Sequence, residues 1–290
     1  AFWQRDISPD QIDGVISIDP IALGRVLLAT GPITVGNVEL TSKNAVTVLL
    51  KDAYEWWDPY ASKAQARASD AFFAGVAATV FTQIAGGDFD LKDMLWAVSE
   101  SIDNGDIMMW SDDEKLASVI DGQRVAGVLP TDNVDQTTVG VFYRDTSAGK
   151  IDVYMDSTVK LDATCDAGVA TFTTEAGLHL DLTQEEADAL PRYVKSANWG
   201  SEQFRTEIFI YGPPGTTFVS AQVDGRDISV VRTDIDDLGR PVASFLSFLR
   251  PGETDTVTAV FSGSGEFGPL ELRSTPMVRP TEATITDGCH

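Results

Sequence analysis

Two textures of hydrophobic spacing divide the chain. Up to about residue 130, apolar residues recur at helical intervals between short apolar runs. Beyond it they fall into short strand-like runs separated by turn residues. In the first part, Asp13-Gly14-Val15-Ile16-Ser17-Ile18 reads as a buried strand, and residues 1–5 before it as the last turn of a helix. Asp19 is placed to cap the next helix, with Pro20 at its first position. Ile21, Leu23, Val26, Leu27 and Leu28 supply its apolar positions, and Gly31-Pro32 stops it. A hairpin follows from Ile33 to Leu40. Thr41 or Ser42 then caps a helix that keeps Ala45, Val46, Leu49, Leu50, Ala53 and Trp57 on one side, and Asp58-Pro59 breaks it.

A longer helix is expected to reach about Ala85 on the spacing of Phe72, Phe73, Val76, Val80, Phe81 and Ile84. Its most apolar stretch, Ala71 to Ala85, is interrupted by Thr79, Thr82 and Gln83 and reads as too short to span a bilayer. Leu91, Met94, Leu95 and Val98 mark a third helix, and residues 107–110 a short strand. Ser111-Asp112-Asp113-Glu114 has the form of a capping box ahead of a fourth helix.

Residues 131–138 are polar and read as a loop. Strands are expected at 139–143, 151–161, 169–173 and 178–182. After a capped helix at 185–190 they resume at 206–211, 217–223, 228–232, 241–248, 254–261 and 270–274. The fold class is therefore α+β: an α/β part over residues 1–133, then a β-sandwich domain over 134–290.

Charge changes what such a fold is expected to meet. Asp and Glu number 44 against 21 Lys and Arg, a net charge of −23. Phosphate neutralisation needs a basic face, so no nucleic acid is expected as a partner. Water, salt or a neutral partner such as a glycan suits the charge. The two cysteines, Cys165 and Cys289, and two histidines rule out a thiolate zinc site on ligand count, and no metal site is assigned. Cys165 falls where the second strand of the β-rich part ends and Cys289 at the end of the chain. A bond between them would pin the final strand to the sandwich and imply an oxidising compartment; two separate buried thiols are the alternative. His179 lies in an alternating strand pattern and reads as a polar residue on a strand's outer face.

The densest polar and aromatic set runs from Lys51 to Asp70. Tyr54, Trp56, Trp57 and Tyr60 beside carboxylates and amides suit carbohydrate: a sugar's apolar face stacks on a ring while its hydroxyls bond the polar groups. The alternative is a solvated helix end whose rings fold into the core. Tyr143-Arg144-Asp145-Thr146-Ser147-Ala148-Gly149-Lys150 joins two strands and is rich in turn formers, as a hairpin loop would be. No calcium loop, phosphate loop or nucleophile elbow is complete.

The run Ile12 to Leu23 closing in Leu28-Ala29-Thr30-Gly31-Pro32 resembles domain-of-unknown-function family 4012, an uncharacterised family of actinobacterial envelope proteins. So do Leu40 to Val46, Asp70-Ala71-Phe72-Phe73, Gly140-Val141-Phe142 with Gly149-Lys150, Val278-Arg279-Pro280 and the terminal Cys289. That family is similar, more distantly, to LytR-type ligases that transfer lipid-linked glycans to peptidoglycan. The resemblance implies an incomplete LytR-like α/β sandwich domain. It also implies an extracytoplasmic place in the envelope and a parent protein anchored by a membrane segment ahead of this chain. The expected role is structural or interaction-based, binding envelope glycan or an envelope assembly, more in keeping with a non-enzyme. The expected partner is the N-terminal half of the same precursor or another envelope protein. The alternative is a LytR-like transferase. There Lys51 and Arg67 would position phosphate, Asp52 or Asp70 would act as base or metal ligand, and magnesium would be the cofactor; no cofactor is expected otherwise. The family's arginine clusters are reduced here to Lys51 beside Asp52, and to Arg67 with Gln65 nearby.

Overall fold

The computed structural model describes residues 5, 6, 8–227 and 232–289, with side chains at 226, 227 and 234–237 left aside. The expected helix turn at 1–5 falls largely outside these residues, as does most of the strand expected at 228–232. The fold is α+β and organised as two compact units.

The first unit comprises residues 1–46 and 74–128. Its strands β1 (Gly14–Ile18) and β4 (Ile107–Ser111) form an antiparallel pair, with Ile16 opposite Met109 and Ile18 opposite Ile107. Helix α1 (Pro20–Thr30) starts as its sequence dictates: the Asp19 carboxylate accepts from the backbone N–H of Ile21 and Ala22, both at 2.8 Å. The hairpin of β2 (Ile33–Val35) and β3 (Val38–Leu40) follows. Helix α5 (Leu91–Asn104) is capped by Asp90 and closed by Gly105 in the left-handed conformation. Helix α6 (Glu114–Ile120) is capped by Asp113, whose carboxylate takes the N–H of Lys115 and Leu116. Ser111 does not cap it: that residue ends β4, and its hydroxyl donates to the Asp13 carbonyl at 3.0 Å.

The second unit comprises residues 47–73 and 129–290. The sequence boundary at 133 puts 47–73 with the first part. In the structure these residues join the second unit, because their aromatic rings pack with Tyr193, far along the chain. They form α2 (Ala45–Thr47, which begins in the first unit), a π-helical turn at Val48–Asp52, α3 (Ala53–Trp56) and the start of α4 (Lys63–Gly86). Helix α4 has 24 residues, and its most apolar window has a mean hydropathy of 1.2 with 22% of that window buried. By length and composition alone it is long and apolar enough to cross a membrane. This corrects the sequence expectation for Ala71–Ala85. The helix extends back to Lys63, and Thr79 and Thr82 donate to carbonyls of their own helix rather than interrupting it.

Two sheets build the rest of this unit. One has the order β10-β9-β13-β7-β6-β15: β10 (Arg226–Asp227), β9 (Thr217–Val223), β13 (Thr254–Ser264), β7 (Val169–Leu180), β6 (Met155–Asp166) and β15 (Glu282–Gly288). The other has the order β11-β12-β8-β5-β14: β11 (Arg232–Asp237), β12 (Arg240–Leu249), β8 (Phe204–Tyr211), β5 (Thr137–Asp145) and β14 (Leu270–Ser274). Among the described residues only β14 and β15 run parallel to their neighbours, β5 and β6. Val141, Ile208, Ile210 and Ala243 from the smaller sheet share one core with Val159, Leu178, Val257 and Phe261 from the larger, as in a β-sandwich.

Three details differ from the sequence reading. Asp152–Tyr154 make a short 3₁₀ turn and β6 starts at Met155. The strands expected at 169–173 and 178–182 are one continuous β7, since Gly177 lets Thr158 approach to where a Cβ would meet its hydroxyl at 2.5 Å. Strand β15 is polar, and its spacing carries no strand signal. It is fixed beside β6 by a disulfide between Cys165 and Cys289, with Cα atoms 5.2 Å apart. The bond is compatible with an oxidising compartment.

Candidate functional site

Some of the residues singled out between Lys51 and Asp70 line one wall of a cleft of about 590 Å³ in the second unit. Lys51, Glu55, Asp58 and Gln65 come from that segment. Tyr154 and Glu186 come from the sandwich side. Lys51 owes its place to the π-helical turn, where Ala53 N–H bonds the Val48 carbonyl five residues back. Its Nζ lies 6.0 Å from the centre of the Tyr154 ring.

Glu186 is held by a capping box at the start of helix α7 (Gln184–Ala189). Its carboxylate accepts from Thr183 N–H at 2.8 Å and from the Thr183 hydroxyl at 2.7 Å. These bonds hold its pKa below the usual carboxylate range. Asp58 ties the two walls together: Oδ1 accepts from Tyr60 N–H at 2.9 Å and Oδ2 from Arg192 N–H at 3.0 Å. Burial pushes the Tyr154 phenol up to about 12, and the charges of Glu55, Asp52 and Glu186 add to the shift. Tyr154 therefore stays a hydrogen-bond donor at any physiological pH.

Beside the cleft, seven rings touch in series: Trp56, Trp57, Phe72, Phe73, Tyr54, Tyr193 and Tyr60. Successive centroid separations are 5.6, 5.1, 5.7, 5.7, 5.2 and 4.9 Å. The two end members, Trp56 and Tyr60, are exposed, and the rings between them are half-buried or buried. Tyr54, Trp56, Trp57 and Tyr60 thus belong to one aromatic run, but none of them lines the cleft. Tyr193 is not legible in the sequence as a member of this set, because no periodicity links it to the segment around residue 54.

The charged candidates separate. Lys51 lines the cleft. Asp52 lies near enough for its charge to act on Tyr154, while Arg67 and Asp70 are exposed on α4 and do not line it. One cation against Glu55, Asp58 and Glu186 leaves the cleft acidic. Such a set suits hydroxyl-rich or cationic groups and disfavours an unaccompanied pyrophosphate. Among the described residues no group of three His, Cys, Asp or Glu side chains is arranged to hold a metal ion. His179 accepts or donates through Nδ1 to the Thr254 hydroxyl at 2.8 Å, across the β7–β13 ladder.

Among solved structures the chain is similar over part of its length to a protein described as nutrient binding from Legionella pneumophila. The TM-score is 0.26 at 6% identity, covering 44% of this chain and 42% of that one. It is similar also to an M1 zinc metallopeptidase from Deinococcus radiodurans, with a TM-score of 0.19 at 10% identity, covering 46% of this chain and 21% of that one. The chain thus spans less than half of the first and about a fifth of the second. No curated protein matches it by sequence. Residues 1–54 do match a family, described as a protein of unknown function (DUF4012).

Proposed function

We propose that the protein is an extracytoplasmic interaction protein of the cell envelope, which takes a partner polypeptide on strand β1. One observation carries this reading. All five residues of β1 are exposed, with Ile16 at 60% and Ile18 at 45%. Their neighbours across the ladder, Met109 and Ile107, pack into the first unit's core with Ala22 and Ile120. The apolar layer therefore continues to β1 and stops there uncovered. An added strand with apolar residues at alternate positions would extend that layer and use the backbone groups of the open edge. Further apolar side chains stand exposed in the same unit, among them Phe81, Leu95 and Trp110. The partner is a chain segment of the same precursor or of another envelope protein.

The disulfide supports the extracytoplasmic part of this reading, and the DUF4012 match supports the family name. Actinobacterial origin and a LytR-like α/β unit belong to the same proposal. A glycan is a second ligand favoured by the exposed ends of the ring series, Trp56 and Tyr60, beside the acidic cleft. The transferase reading, with magnesium, is disfavoured because Arg67 and Asp70 lie outside the cleft that holds Lys51.

Crosslinking and native mass spectrometry of protein isolated from its own source test the docking role. A second polypeptide crosslinked to β1 is expected, and Ile16→Lys, on an exposed side chain, should abolish it. A monodisperse monomer with no companion chain would overturn the proposal.

A further inference from the structure

The smaller sheet of the sandwich carries three arginines around one buried carboxylate, on the face turned away from the core. Thr206, Ile208 and Ile210 of β8 are buried on the core side, so alternation places Arg205, Glu207 and Phe209 on the other. Across the ladder Glu207 lies opposite Arg144 of β5 and Leu246 of β12, and Arg232 of β11 lies opposite Ser244. The Glu207 side chain is 5% exposed. It accepts hydrogen bonds from Arg144 and, at 3.3 Å, from Arg232. Those two arginine side chains remain 62% and 64% exposed. Arg205 donates from Nε to the Thr146 hydroxyl at 2.8 Å and lies 5.3 Å from the Trp199 ring centre. Arg144, Thr146, Arg205, Glu207, Arg232 and Leu246 line a cleft of about 540 Å³.

The charges do not balance. A buried carboxylate needs cationic company, and one guanidinium would neutralise it. Among the described side chains that line the cleft, three arginines stand against the one carboxylate of Glu207, in a chain whose net charge is −23. A guanidinium carries five N–H donors, and the contacts above engage only part of each set. The planar fork matches carboxylate and phosphate oxygens two at a time. Leu246 and Phe248 stand exposed on the same face.

We propose that this cleft binds an oxyanion, carboxylate or phosphate, borne on a ligand whose apolar side rests on Leu246. The site is separate from β1 and from the cleft around Lys51, and it stands without the docking role.

Isothermal titration calorimetry on the full chain at low ionic strength tests it, with trigalacturonate, inorganic phosphate and neutral maltotriose as probes. At least one anion should bind and maltotriose should not. Affinity should fall with added salt. Arg205→Gln and Arg232→Gln should each weaken binding by about tenfold. Arg205 is not a partner of Glu207, so its variant keeps the buried carboxylate paired. Binding of trigalacturonate alone assigns a carboxylate ligand, binding of phosphate alone a phosphate-bearing one, and binding of both the shared oxyanion chemistry. No binding of either anion would overturn the proposal. So would equal binding of maltotriose, or unchanged affinity in both variants when their circular dichroism matches the parent.

Discussion

The rings of Tyr54 and Tyr193 lie 5.2 Å apart, and through this contact the segment 47–73 belongs to the sandwich unit. Tyr193 also meets Tyr60 edge-on at 4.9 Å. Tyr193→Ala removes the one ring that joins Tyr54 to Tyr60. It should cost about 2 kcal/mol in stability. Hydrogen exchange should show lost protection in residues 47–60, with β7 and β13 unchanged. Uniform loss across the unit would contradict this local role.

The buried Arg240 guanidinium donates to three carbonyls: Pro130, Thr138 at 2.7 Å and Gly212 at 3.1 Å. Arg240→Met keeps much of the volume and orphans those oxygens. A loss of about 3 kcal/mol is expected in urea unfolding, with Arg240→Lys falling between the two.

Much of this was legible in the sequence, for identifiable reasons. Asp19-Pro20 and Thr183 with Glu186 are local signals, and the helices start where these caps place them. The apolar run of β5 and the near-alternation of β8 read directly as sandwich strands. Strand β15 is polar and takes its place from its neighbour β6 and the disulfide, so its own pattern carries no signal. The window from Lys51 to Gln65 gave one wall of the cleft, but Tyr154 and Glu186 are brought to it only by tertiary packing. Arg144 sat in a segment read as a hairpin loop. It ends up on β5 beside Glu207, a pairing that depends on strand register.

Asp19 gives the first unit a pH response. Burial pushes its carboxyl up to about 6; the N–H of Ala22 opposes the shift and the charge of Asp106 reinforces it. An acid whose folded pKa is raised adds stability that is complete below its ordinary value, about 4, and is lost as pH rises through about 6. Exchange protection in α1 should therefore fall between pH about 4 and about 6.5. Asp19→Asn keeps the capping oxygen and should flatten that dependence. A variant with the parent's pH profile would contradict the assignment.

Cys289→Ser should loosen β15, whose other supports include a parallel ladder to β6 and the Leu270 N–H bond to the Asp287 carboxylate. The closed loop is long, with a sequence separation of 124, so the chain-entropy estimate of the loss is about 4–5 kcal/mol. Thermal unfolding of the sandwich unit should shift down accordingly, and exchange in residues 282–288 should rise first. Reduction of the parent protein should reproduce both effects.

The same bond sets how the molecule answers tension. Cys165 is the last but one residue of β6 inside the sheet, and Cys289 follows β15. A pull on the C-terminal end therefore bypasses the hydrogen bonds of β15 and arrives at Cys165. The 124-residue span between the cysteines stays out of the load path. About 430 Å of extended chain is held in reserve, at about 3.5 Å per residue, and becomes available only on reduction. Single-molecule stretching would read that reserve as a step in contour length present only in reductant.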